Sequence, residues 1–227
     1  MLNFTVNTSS AVKVLGPGTP MLALTIGGIG GNTPYASYVS GSGSTALLFS
    51  YKVQGGDTAN SGISTASMLS LNGGSILDAK ALALVPSFTA LTSNGVVVDT
   101  TAPALSAVTV NGNQLVISYA ETGSGLNASD VPLASAFKVI NNTQSAEVTG
   151  LKFDATNKTV TLTLSKAVVN SDMVTVAYTP DGIPSQALQD KAGNLVANLA
   201  ATTVTNTTPS TASSIISVTG PLSLIHI

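Results

Sequence analysis

The side chains in this sequence whose type and spacing suggest chemistry are carboxylates and carboxamides. Asp99 opens the stretch Asp99-Thr-Thr-Ala-Pro103 near the middle of the chain, and Asp190-Lys-Ala-Gly-Asn194 lies 91 residues further on. Calcium takes several oxygen ligands, drawn from carboxylates and from backbone and amide carbonyls. Asp99, Asp190 and Asn194 are therefore candidate calcium ligands. The same residues also suit a plain turn, in which Asp accepts local N–H bonds and Gly193 supplies a positive φ. Glu121 and Glu147 are the two glutamates, and a carboxylate pair is what glycoside hydrolysis requires. The chain has no Trp on which a sugar could stack, so neither glutamate is assigned a catalytic role. No catalytic and no cofactor-binding residue is expected, and the chain is not read as an enzyme.

Several other chemistries lack their residues. There is no Cys, and the eight basic residues are all Lys. Disulfides, thiol nucleophiles, thiolate metal sites and bidentate guanidinium clamps are thereby excluded. The one His is His226, the penultimate residue. Nucleophilic triads need an imidazole as general base, and zinc sites need imidazole or thiolate. Gly27-Gly-Ile-Gly-Gly31 follows a strand pattern but has no helix pattern and no Lys-Ser/Thr pair after it. It reads as a turn rather than a phosphate cradle.

The composition sets the class. Only 8% of the 227 residues are charged, the net charge is −2, and Thr, Ser, Asn and Gly supply the polarity. With no basic stripe, neither nucleic acid nor an anionic membrane surface is an expected partner. Mean hydropathy is +0.40, yet Pro86, Ser87, Thr89, Asn94 and Gly95 interrupt the most apolar stretch, so no membrane-inserting span is expected. At the N-terminus, Leu2, Phe4 and Val6 alternate with Asn3 and Thr5 like a half-buried strand, which reads as a start inside a module. At the other end, Leu222-Ser-Leu-Ile-His-Ile227 matches the translation of a widely used sequencing adapter. Residues 222–227 are therefore set apart from the fold.

The elements that must position the candidates are strands. In the first block, Leu22, Leu24 and Ile26 alternate, Tyr35 to Val39 reads as a short strand, and Leu47, Phe49, Tyr51 and Val53 share one face. Asn72-Gly-Gly74 predicts a hairpin, because Asn and Gly tolerate positive φ. Phe88 to Leu91 and Val96 to Val98 are the last candidate strands, and Asp78 to Leu84 could hold a helical turn. In the second block, Val108 and Val110 run into Asn111-Gly112, another hairpin signal, and Leu115, Ile117 and Tyr119 follow. Phe137 and Val139, Val148 to Phe153, Val160 to Leu164, Val174 to Tyr178 and Thr202 to Thr205 complete the set. One-sided alternation predicts antiparallel sheets. Seven or so short strands per block, with a turn about every ten residues, predict β-sandwiches. Tyr119 and Tyr178 should pack in the core with each hydroxyl on a backbone partner. Asn206-Thr-Thr-Pro209 is a degraded copy of the Asp99 stretch, and 106 residues separate Pro103 from Pro209, about one sandwich domain.

The second block resembles the SwmB-type repeat of large bacterial surface proteins. The resemblance rests on Asp99 to Pro103, Val110-Asn-Gly112, Leu115 to Tyr119, Ala136-Phe137, Val160 to Leu164, Val174 to Tyr178 and Gln189 to Asn194. The first block is similar to the Ig-like repeats of giant bacterial adhesins at Gly18-Thr-Pro20, Tyr38 to Gly43, Phe49-Ser-Tyr51, Gly56-Asp57, Gly62-Ile-Ser64, Leu71 to Gly74 and Asp78. It departs after Asp78, where Lys80-Ala-Leu stands in place of Ala-Gly-Asn. The expected fold is all-β: two tandem Ig-like antiparallel β-sandwich modules, over residues 1–98 and 99–208, the first truncated at its N-terminus. Residues 209–221 would open a further linker or repeat. The resemblance implies a secreted or cell-surface, extracellular protein whose modules act as spacer or stalk, with roles in cell adhesion or surface motility. Its partners would be neighbouring repeats and a surface glycan or protein ligand. The alternative is a carbohydrate- or partner-binding sandwich, with recognition in the loops at one end.

Overall fold

A computed structural model describes residues 1–27, 31–93 and 95–210. The centre of the glycine-rich turn (28–30), most of the expected further linker (211–221) and the adapter-like hexapeptide, including His226, lie outside the described residues. The fold is all-β and its sheets are antiparallel but for one pair of strands. Among the described residues no helix is long and apolar enough to cross a membrane.

The first block contains β1 (Leu2–Leu15), β2 (Met21–Thr25), β3 (Tyr35–Ser40), β4 (Ser44–Tyr51), β5 (Thr58–Ala59), β6 (Ile63–Ser70), β7 (Ser75–Asp78), β8 (Thr92–Ser93) and β9 (Val98–Asp99). Seven of these form one continuous sheet in the order β7-β1-β4-β3-β2-β6-β8, and β5 pairs with β9. The alternation seen at Leu2 to Val6 extends much further, because β1 bulges between Asn7 and Val12. Its first half pairs with β4 and its second half with β7, Val12 facing Asp78. A bulge bends a strand and lets it leave one partner for another. Leu47, Phe49, Leu22, Leu24 and Ile76 are buried on the core face.

Two local expectations are corrected in this block. Asn72 and Gly73 do adopt positive φ, 49° and 80°. They do not make a hairpin, however: β6 pairs with β2 and β8, whereas β7 pairs with β1. The turn is a crossover between strands far apart in the sheet. The Asp78–Leu84 segment holds no helical turn. Asp78 Oδ1 accepts the Lys80 and Leu82 N–H groups at 2.8 and 2.9 Å, and Leu77 bridges Ala83. At Phe88 to Leu91 the chain runs without a strand until β8 begins at Thr92.

The second block contains β10 (Ala104–Asn111), β11 (Gln114–Ala120), β12 (Phe137–Asn141), β13 (Gln144–Ala146), β14 (Val148–Asp154), β15 (Thr159–Leu164), β16 (Val174–Tyr178), β17 (Leu199–Thr203) and β18 (Thr205–Asn206). They form two sheets, β14-β15-β11-β10-β18 and β13-β12-β16-β17. Between them lies a core of Leu115, Ile117, Val160, Leu162, Val176 and Tyr178, each fully buried. Here the Asn111-Gly112 hairpin forms as the sequence predicts, with Asn111 opposite Gln114. Tyr178 Oη accepts the Leu188 N–H at 2.9 Å, as expected. The Tyr119 hydroxyl is buried without a partner, contrary to expectation. A 3-10 turn at Pro184–Gln186 follows β16.

At the far end of the second block Asp172 ties its own turn to the end of β12. Its carboxylate accepts the Val169 N–H and the Asn141 carboxamide at 2.9 and 2.8 Å, and the Asn142 carboxamide at 3.0 Å. These bonds, the Val169 one foremost, hold its carboxyl below the ordinary 3.8. A depressed folded pKa means that the unfolded chain binds the proton first. The stabilisation is then present above the unfolded value and is lost as the pH falls through the folded one. Acid titration of stability should therefore show a loss below about pH 3.8 that Asp172→Asn flattens. In the core, Ile117→Ala should cost about 2–5 kcal/mol in urea denaturation of the full chain.

Candidate metal centre at the joint

Asp99 stands where the two blocks meet. Its backbone belongs to the first, because β9 pairs with β5 and places Thr58 opposite Asp99. Thr100 extends the tie: its Oγ1 accepts the Gly56 N–H at 2.8 Å and donates to the Asp57 carbonyl at 3.0 Å. Asp57 is itself buried, and its carboxylate accepts the Tyr51 hydroxyl and the Gln54 N–H. Burial and the neighbouring Asp57 carboxylate push the Tyr51 phenol up to about 12.

The Asp99 side chain points the other way, into the second block. Oδ1 accepts the Thr101 N–H at 3.0 Å and Oδ2 the Ser124 N–H at 2.6 Å. Burial alone would raise this carboxyl, but the Ser124 and Thr101 N–H groups outweigh it and hold it below its ordinary value. Gly123 packs directly on the carboxylate, and a Cβ there would overlap it.

Two more carboxylates converge on the same spot. β11 ends at Ala120, and Glu121 folds over the loop that follows, its Oε1 accepting the Gly123 and Gly125 N–H groups at 2.7 and 3.4 Å. Asp190 sits on the turn that packs beside this loop, bridged to Leu126, with the Lys191 N–H on the Gly125 carbonyl at 2.8 Å. Oxygens of Asp99, Glu121 and Asp190 lie within 4.8 Å of one another, and all three residues are buried, Asp190 completely. Asn194 completes the turn. Its N–H and its Nδ2 donate to Asp190, at 2.8 and 2.7 Å, and Nδ2 also donates to the Asp99 carbonyl at 3.1 Å.

The sequence candidates Asp99, Asp190 and Asn194 are thus brought together, with Asn194 presenting its donor side to Asp190. Sequence reasoning weighed Glu121 and Glu147 as a glycosidase pair and assigned neither a catalytic role. The structure instead gathers Glu121 with Asp99 and Asp190, while Glu147 is exposed and outside the group. The signal that could have found Glu121 is its place one residue past a strand and directly before the loop Thr122-Gly-Ser-Gly125, whose free N–H groups suit a carboxylate. Asp57 left a weaker signal, the Gly56-Asp57 pair.

The donor set is all oxygen, which suits a hard cation. Calcium–oxygen distances of about 2.3–2.6 Å put ligands on opposite sides of one ion about 5 Å apart, compatible with this spacing. Without a cation, two unit charges 4.8 Å apart repel by about 3.5 kcal/mol at an effective dielectric of about 20. The first block keeps the turn without the charge cluster. Asp78 and Leu82 bond as Asp190 and Asn194 do, and Ala81 takes φ 63° where Gly193 takes 89°. Leu82, however, replaces the carboxamide, and among the described residues no second group of three carboxylates forms.

Fold and site together define an all-β chain of two sequential blocks, joined at a buried carboxylate cluster. Within it, residues 98–182 match a family of repeats described as "Putative flagellar system-associated repeat". The match covers Asp99 and Glu121 and supports the reading of this stretch as a repeat. No curated protein and no solved structure matches the chain.

Gly123→Ala should unseat the Asp99 carboxylate and lower the stability of the full chain by roughly 1–3 kcal/mol. Gly55→Ala, with open space around its site, serves as the silent control. Equal melting temperatures for the two variants would contradict the close packing at Gly123.

Proposed function

We propose that the chain is a structural segment of a large secreted or cell-surface protein, in which tandem modules space and display other parts and take part in adhesion. The observation that carries this reading is the double attachment of Asp99, with its backbone in one block's strand pair and its carboxylate on the other block's loop. A linker bound on both sides restricts the angle between modules, as a stalk requires. The repeat match supports a structural role. Among the described residues Tyr35 is the one exposed aromatic, which favours a spacer over a sugar-stacking platform.

The carboxylate cluster fits the same role as a calcium site, with Asp99, Glu121 and Asp190 as ligands and Asn194 bracing Asp190. A bound cation would cancel their repulsion and draw the linker onto the second block. Calcium at 100 times its dissociation constant would stabilise the folded chain by about 2.7 kcal/mol. The expected result is a melting temperature that rises with millimolar calcium, falls with chelator, and responds to neither in Glu121→Gln. A calcium response that survives Glu121→Gln would remove the cluster from the proposal. The spacer reading has its own test on a glycan array, where reproducible micromolar binding by the fragment would replace it with the carbohydrate-binding alternative.

A further inference from the structure

The parallel contact between β10 and β18 is the exception in an otherwise antiparallel fold, with Thr109 opposite Thr205 and Val110 opposite Asn206. β10 is the first strand of its block and β18 the last. The chain arrives at Ala104 from the joint and leaves beyond Asn206 at the opposite end of the sheet. Side chains extend the contact past the strand. The Thr207 N–H and hydroxyl both donate to the Val110 carbonyl at 2.8 and 3.0 Å, and Thr208 Oγ1 accepts the Gly112 N–H at 2.9 Å. Asn206 Nδ2 donates to the Val169 and Asp172 carbonyls at 2.8 and 3.1 Å, and Asn170 Nδ2 to the Thr208 carbonyl at 2.8 Å.

The direction of this pairing matters under tension. Pulling the first strand back by its start and the last strand forward by its end slides two parallel neighbours past each other. Their hydrogen bonds are then loaded together, in shear. A pair pulled from two points at the same end instead opens one bond at a time. Among the described residues the first block has no such parallel pair: β1 lies between β7 and β4, while β9 pairs antiparallel with β5.

We infer that the second block is a directional tension clamp, with β10, β18 and the Asn206–Thr208 side chains resisting force applied along the chain. The inference rests on the spacer reading, but its test does not. Module mechanics are measured without reference to calcium, glycans or location, so failure of the clamp leaves the spacer reading standing, and the reverse also holds.

The chain has no Cys, so a pair of introduced cysteines defines a unique pulling direction in the full chain. Ala102→Cys with Ser210→Cys loads the clamp in shear. Asn113→Cys with Ser210→Cys loads the same contact from one end. All three positions are exposed. Force spectroscopy should give an unfolding force about twofold or more higher in the first geometry at equal loading rate, since forced unfolding reads the barrier rather than the equilibrium stability. The clamp event should lengthen the chain by about 360 Å, the extended length of the residues between the handles. Thr208→Val and Asn206→Ala should lower the force in the first geometry and leave the second unchanged. Equal forces in the two geometries of the parent chain would overturn the clamp. So would variants that lower both geometries alike, which would mark the contact as ordinary stability, or variants that leave the shear force untouched.

Discussion

Three carboxylates that cannot escape one another organise the middle of this chain. Asp99, Glu121 and Asp190 come from a linker strand, a loop after β11 and a turn before β17, and burial denies them the solvent that would screen them. What holds them is a set of N–H groups, from Thr101, Ser124, Gly123, Gly125 and Asn194. Hydrogen bonds to a charged acceptor are roughly twice as strong as neutral ones. Each donor is also a backbone group that would otherwise need a partner of its own. The repulsion and the bonds together fix the loop, the turn and the linker relative to one another.

Because the linker is one member of the cluster, the interaction also orients the blocks. Asp99 cannot shift toward the second block without straining its pairing with Thr58, nor toward the first without leaving Ser124. Asn60 adds a bond from the first block to the Thr122 carbonyl at 3.2 Å, on the same loop. The first block shows what the turn looks like without this duty. Around Asp78 the backbone bonds persist, yet Ala81 occupies a left-handed position that favours glycine, and Leu82 stands where a carboxamide would brace the Asp. The local fold of the turn therefore does not require the cluster; the joint does.

Much of this was legible in the residues, and the register of one hairpin shows why. Asn111-Gly112 announces a tight turn, and two alternating strands on either side pair outward from it until Ala104 meets Ala120. Counting along that hairpin brings Asp99 to the end where Glu121 lies, so their proximity follows from sequence once the turn is trusted. Asp190 is different: its place beside Leu126 depends on how the second sheet packs on the first, which no local pattern encodes. The strand expected at Phe88 to Leu91 is replaced by scattered bonds to β6, the Phe88 N–H on the Ser67 carbonyl at 2.9 Å and the Thr65 N–H on the Leu91 carbonyl at 3.0 Å, which close into a ladder only at the short β8. Asn72-Gly73 carries the same local signal as Asn111-Gly112 and takes positive φ, yet it joins strands that never pair. Turn chemistry specifies a reversal; only the sheet decides whether the two arms meet.

The two joint sequences make the same distinction between local geometry and outward chemistry. Asp99 and Asn206 each accept the N–H two residues on, from Thr101 and Thr208, both at 3.0 Å, so each sets the same small turn before its proline. Their remaining atoms do opposite things. The second oxygen of Asp99 is an acceptor and meets the Ser124 N–H beside two other carboxylates. The nitrogen of Asn206 is a donor and meets the Val169 and Asp172 carbonyls. A carboxylate at 206 would face carbonyl oxygens with no proton to offer, and a carboxamide at 99 would remove one charge from the cluster. The single-atom difference between the two side chains thus suits one joint to gathering charge between blocks and the other to fastening the last strand of its own block.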